Sequence, residues 1–219
     1  MTTLISLVSS ATNLTPKWQN ATWEDYLNYR DAPITERVRL YFYQNRLLVE
    51  MGSEGINHSN ISDLFTMLFA FWFAQKPEVV FSSYGGCLLE KPTAKIACAP
   101  NIVLYLGENY PRWQPEERRY LNLEQWRIPD LVGEISDTTL ASDLDEKKYL
   151  YAQLGIPEYW VVDVRAGRVI AFALQKGKYE EIDQSKAIEG LAIELLEQTL
   201  AQLSTGTNGS AAHWFAKAI

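Results

Sequence analysis

Two residues stand out for chemistry. Glu134 lies inside the apolar run Leu131-Val132-Gly133-Glu134-Ile135-Ser136, and Lys147 follows on a helix-like stretch that begins near Asp143. A carboxylate in such a run needs a partner if it is buried, because an unpaired charge is costly to remove from water. A carboxylate on a sheet with an ammonium beside it suits metal-assisted phosphodiester cleavage. There the lysine orients a water, lowers its pKa or neutralises charge developing on phosphorus. The plain alternative for Lys147 is a solvated helix residue paired with Asp143 at i, i+4, a contact of a few tenths of a kcal/mol.

Alternation along Pro129 to Ser136 puts Asp130, Val132, Glu134 and Ser136 on one face of the strand. At a rise of roughly 3.3 Å per residue Asp130 and Glu134 are about 13 Å apart, too far to share one ion. Asp130 therefore reads as a polar strand-start residue, and a second ligand must come from a neighbouring strand. The strand Pro100 to Leu106 is the natural neighbour, and Asn101 stands at its start. An amide oxygen binds Mg²⁺ weakly and brings no charge. On the helix, Asp143, Lys147 and Tyr151 form one stripe, with Lys148 rotated about 100° away. Ser136 reads as a loop cap or a substrate contact. His58, at the mouth of the first long helix, reads as a cap or surface residue or as a contact to substrate or metal. Arg118 and Arg119 are adjacent basic residues in the long polar excursion of residues 112–127, past which, with His58, a substrate strand is expected to run. Tyr151, Tyr159 and Trp160 are most simply core aromatics.

The elements that must position these groups follow from pattern. Thr22 caps a short helix over Trp23 to Tyr29. Arg37 to Glu50 reads as a hairpin turning at Gln44-Asn45. Ser59 or Asn60 starts a helix that runs to about Gln75, and Pro77 ends it. Short strands are expected at Val79 to Ser83, Cys87 to Glu90 and Ala99 to Leu106. Residues 107–127 form a long excursion of the kind that often carries function. After the strand ending at Ser136, Asp143 caps a helix over Leu144 to Leu154, which Gly155 and Pro157 stop. A hairpin at Tyr159 to Leu174, extended by Tyr179 to Ile182, and a helix at Leu191 to Leu203 complete the chain. Residues 1–20 read as a flexible arm, 21–203 as the domain and 204–219 as a tail. The class is α/β (α+β), a mixed central β-sheet flanked by helices with an N-terminal β-hairpin.

A chain of 219 residues suits one domain with a sizeable core. The net charge of -7 opposes strong non-specific nucleic-acid binding, which needs many Lys or Arg contacts to phosphate. It leaves room for an enzyme with a local basic patch. No signal peptide is evident, the most apolar run (Leu64 to Ala74) is about half of what a bilayer needs, and both cysteines sit in apolar surroundings. A cytoplasmic protein with reduced thiols and no membrane association is expected. The aromatic excess suits a core or a homodimer interface.

The run PDLVGEIS, then Asp143, Lys147, Tyr151 and GIPEYWVVD, resembles the large bacterial family of putative restriction endonucleases within the PD-(D/E)xK nuclease superfamily. The resemblance covers about Thr22 to Leu196 and includes His58 and the EGL at Glu189 to Leu191. It implies a restriction endonuclease-like core and Mg²⁺- or Mn²⁺-dependent endonuclease action on DNA. Carried onto this chain, the pattern gives Glu134 as metal ligand and Ser136 at a vacated lysine position. Lys147 becomes the helix lysine that replaces it, and Asn101 stands where the family has aspartate. That last departure leaves one carboxylate where two are expected. It implies either a weakened enzyme or a degenerate relative that binds nucleic acid or a protein partner without cutting.

Overall fold

The structure, a computed structural model, describes residues 17–33, 38–51, 55–116 and 120–219. Its elements in order are β1 (Gln19–Asn20), α1 (Trp23–Asp31), β2 (Val38–Tyr43), β3 (Arg46–Met51), α2 (Ile56–Ala74), β4 (Phe81–Tyr84), β5 (Leu88–Lys91), β6 (Ile96–Cys98), β7 (Ile102–Leu106), β8 (Tyr120–Asn122), β9 (Leu131–Ser136), α3 (Leu140–Leu144), α4 (Glu146–Leu154), β10 (Glu158–Asp163), β11 (Arg168–Gln175), β12 (Lys178–Ile182), α5 (Ile193–Thr205) and α6 (Asn208–Ala218).

The strands form two sheets. One has the order β1-β3-β2-β6-β5-β8 and the other β12-β11-β10-β9-β7-β4. Within the second sheet β9 and β10 run parallel, joined through α3 and α4, while β7 is antiparallel to β9 with Ile102 opposite Gly133. The central strands of the second sheet are buried on both faces, and all six residues of β9 are buried although Glu134 and Ser136 are polar. One face carries Ile102, Leu131, Ile135 and Trp160 against Phe65 and Phe69 of α2, with α5 and α6 behind. The opposite face carries Val103, Val132, Tyr159 and Val161 against Tyr41 and Leu48 of the first sheet and Leu150, Tyr151 and Leu154 of α4.

The expected mixed α/β class holds, and the hairpin turns at Gln44 and Asn45, both at left-handed φ. Local chemistry explains several boundaries. Thr22 and Asp25 form a reciprocal capping box at α1. Gly155 ends α4 at φ 78°, a conformation that costs glycine little. Other boundaries differ from the sequence reading. Helix α2 starts at Ile56 behind Gly55, which offers no side-chain cap, so His58 lies within the first turn and is buried. Backbone of unusual geometry at Asp145 splits the helix expected after Asp143 into α3 and α4, and Asp143 is a buried residue of α3, not a cap. Strands β6 and β8 are additional. The expected arm is paired where it is described, Gln19–Asn20 against β3, and most of the expected tail is the helix α6, whose Phe215 is fully buried. Residues 1–16 lie outside the described residues. No described helix is long and apolar enough to cross a membrane, and Cys87 and Cys98 are free thiols.

Candidate functional site

Glu134 projects from β9 toward the seam between the two sheets. Lys147 and Tyr151 point at it from α4, where Lys147, Leu150, Tyr151 and Leu154 form the buried stripe at helical spacing. The Tyr151 hydroxyl donates to Glu134 Oε1 at 2.5 Å, and the Lys147 ammonium stands 3.6 Å from the same oxygen. Tyr41 of β2 places its hydroxyl 3.3 Å from Glu134 Oε2 and 2.8 Å from the Ala99 carbonyl. One phenolic proton cannot serve both acceptors well. A proton on Glu134 resolves the conflict, since the carboxylic acid can donate to the tyrosine oxygen while the tyrosine donates to Ala99.

Lys147 is the centre of the arrangement. Its Nζ lies 2.8 Å from Glu50 Oε1 and 2.9 Å from Asp143 Oδ1, besides the contact to Glu134. The ammonium also sits 4.0 Å from the centroid of the Tyr41 ring. Arg39 Nε approaches the second oxygen of Glu50 at 3.6 Å, and Thr139 donates to the second oxygen of Asp143 at 2.6 Å. Glu134 and Lys147 are each only 1% exposed. Burial pushes the Glu134 carboxyl up to about 7; Lys147 opposes that rise, and Asp143 and Glu50 add to it. Burial alone would lower the proton affinity of Lys147, but the Glu134, Glu50 and Asp143 carboxyls outweigh it and the ammonium is held more firmly than usual.

Asn101 sits just before β7, one step beyond the Ile102–Gly133 pair. Its Oδ1 accepts from the Ile135 N–H at 2.9 Å, so the side chain substitutes for the strand carbonyl that β7 has not yet supplied. Its Nδ2 lies 2.9 Å from His58 Nε2. A backbone N–H only donates, which fixes the orientation of the amide. The amide nitrogen in turn only donates, so Nε2 accepts and the His58 ring proton is on Nδ1.

The residues singled out by sequence divide accordingly. Glu134 and Lys147 come together. Asn101 ties β9 to α2 through Ile135 and His58, and His58 is spent on that link. Ser136 shares the face of Glu134 but is buried, with no hydrogen-bond partner for its hydroxyl among the described residues. Arg118 and Arg119 lie outside the described residues. Asp130 holds the start of β9, accepting from the Leu106 N–H at 2.6 Å and from Arg127 at 2.8 Å.

Sequence reasoning paired Asp143 with Lys147 and set Tyr151 on their stripe, but it missed Glu50, Arg39 and the hydroxyls of Tyr41 and Tyr151. Glu50 carried a usable signal, an acid closing the apolar run Leu47-Leu48-Val49 on the same face as Leu48.

A divalent ion needs oxygen atoms that are free to turn toward it. Here the Asn101 oxygen is committed to Ile135, and the carboxyls of Glu50, Glu134 and Asp143 converge on an ammonium. No group of three or more His, Cys, Asp or Glu among the described residues is arranged to hold a metal. The side chains as placed do not fit the ion that the resemblance implies.

A family model described as Putative restriction endonuclease (Uma2) matches residues 23–205. No curated protein matches. Among solved structures, that of a putative nuclease belonging to DUF820 from Anabaena variabilis is similar, with a TM-score of 0.57 and 18% identity over 82% of this chain and 98% of that one. This is a likeness of fold, and it agrees with a restriction endonuclease-like core. The family match spans most of the chain and includes β9, α4 and the buried cluster they build with β3. By that match the chain belongs to the Uma2 family of putative restriction endonucleases.

Proposed function

We propose that this chain is a degenerate nuclease-fold protein that engages DNA without hydrolysing it. One observation carries the reading. The residue standing where a second carboxylate is expected, Asn101, brings no charge and uses both ends of its amide to join Ile135 and His58. The burial of Glu134 and Lys147 adds support, since a scissile phosphate must reach the groups that act on it. DNA as the ligand is inferred from the nuclease-like family.

The contact surface we assign is the excursion after β7. Arg112 is exposed there, stacked on Tyr110 with 4.8 Å between guanidinium and ring centroid, and Trp113 beside it is 68% exposed. Exposed aromatics and arginine together suit nucleic-acid contacts. Arg127 is excluded from that role by its bonds to Asp130 and the Leu106 carbonyl.

A second reading, the Mg²⁺- or Mn²⁺-dependent DNA endonuclease, is favoured by one observation. Glu134 and Lys147 lie on the same side of the sheet, 3.6 Å apart. A plasmid-nicking assay with each ion, run beside fluorescence anisotropy on labelled DNA, separates the two. Saturable binding with no nicking above the Glu134→Ala background supports the first reading. Metal-dependent nicking that Glu134→Ala abolishes replaces it with the second. A cytoplasmic homodimer is a further part of the proposal, and light scattering on the purified chain tests its stoichiometry.

A further inference from the structure

We propose that the Lys147 ammonium is itself the resident cation of this site, so that Glu50, Glu134 and Asp143 take no divalent ion while it stands among them. The inference deepens the reading of a non-cleaving protein but is measured separately from it.

An ammonium has three N–H donors and no acceptor. Around Nζ there are three carboxyl oxygens, from Glu50 at 2.8 Å, Asp143 at 2.9 Å and Glu134 at 3.6 Å. They come from three places in the fold, β3, α3 and β9, and the face of the Tyr41 ring covers a further side at 4.0 Å. The lysine stem is fixed as well, because Lys147 lies on the buried stripe of α4 with Leu150, Tyr151 and Leu154.

Charge accounts for the arrangement. Three carboxyls face one ammonium and, through Glu50, one guanidinium. The space among the three carboxyls is filled by the ammonium, so a doubly charged ion would have to displace the lysine or share its space. Displacing it would take a buried ammonium away from all its partners, which is strongly unfavourable. Sharing would set a divalent ion and the ammonium within roughly 4 Å of each other, and the repulsion is weakly screened because both would be buried. The uncharged Asn101 fits the same picture, because a site that carries its own cation has no need of a further acid.

The test is calorimetric titration of the full chain with Mn²⁺ and with Mg²⁺, paired with thermal melts across the same concentrations. Wild type is expected to give no stoichiometric binding and no metal-dependent rise in Tm. Lys147→Ala removes the ammonium and leaves the carboxyls. It is expected to melt lower without metal, to recover in a saturable way with Mn²⁺, and to bind at least roughly 100-fold more tightly than wild type. Lys147→Met, which keeps the apolar stem volume, serves if the alanine variant does not fold. Adding Glu134→Gln to either variant should remove most of the gain. Stoichiometric Mn²⁺ binding by wild type that Glu134→Gln weakens would overturn the proposal, and so would a folded Lys147 variant with no gained affinity. A wild type that binds no metal yet also fails to bind DNA leaves this inference standing and removes the functional reading alone.

Discussion

Glu134 links burial to proton affinity. Its folded carboxyl titrates near 7 against 4.5 for the free group, so the folded state holds a proton that the unfolded chain has already lost. The sign follows from linkage. The contribution of this group to stability is fully present below pH 4.5 and is lost as pH rises through about 7. Its size is on the order of 3 kcal/mol. Urea melts of wild type should therefore give stability falling across that window, and Glu134→Gln, which cannot ionise, should flatten the fall. An unchanged slope in the variant would assign the proton to another group. Lys147→Ala should cost about 3–5 kcal/mol in the absence of added metal, because it leaves buried acids without their cation. Denaturant midpoints at constant pH measure it.

The residue scale also shows where sequence reasoning succeeds by a partly wrong route. An acid within an apolar strand marked Glu134 correctly as buried and partnered. The same signature holds for Glu90, fixed by Tyr26 and by a single Arg30 nitrogen that donates to both its oxygens, and for Glu158, which accepts from the Trp160 indole and the Lys186 and Ala187 amides. Those two carboxylates are structural fasteners. Hydrophobic context reports that a carboxylate will be paired, not what its partner does.

At the scale of elements, two short pieces of backbone decide where the polar groups point. The break at Asp145 turns α3 so that Asp143 faces Lys147 from the preceding helix. An unbroken helix satisfied the sequence pattern equally well, and nothing in the types of residues 143–147 announces the break. Strand β3 was legible as half of a hairpin, but its destination was not. Which sheet a hairpin joins depends on long-range pairing, here β2 against β6 at Phe42 and Ala97, and local pattern carries little of that.

Asn101 acts at this scale too. Asn101→Ala removes the acceptor of the Ile135 N–H and the partner of His58, and a buried group left without its bond costs about 1–3 kcal/mol. The loss should appear as a lower denaturant midpoint and as faster hydrogen exchange confined to the end of β9. Uniform exchange across the molecule would instead mean that Asn101 is not a local tie. At the end of α4, Gly155→Ala forces a side chain into φ 78° and should cost about 1 kcal/mol.

For the whole molecule, net charge and surface chemistry set the mode of contact with nucleic acid. A chain at -7 offers few cations to phosphate, so its affinity for DNA should depend only shallowly on salt. Removing Arg112 should reduce the slope of log affinity against log salt by about 1, and a slope left unchanged would clear the excursion of any phosphate contact. Beyond residue 205, where the family match ends, α6 inserts Phe215 between α2 and α5. Phe215→Ala should cost about 3–5 kcal/mol by unfolding titration, which would make the last helix part of the core.

The polar cluster draws Glu50, Tyr41 and Arg39 from one sheet and Glu134 from the other, with Lys147 as the rivet between them. Prying the layers apart would strand charges on both halves at once. Neither sheet can therefore melt alone without exposing the other, and the molecule should come undone in a single step.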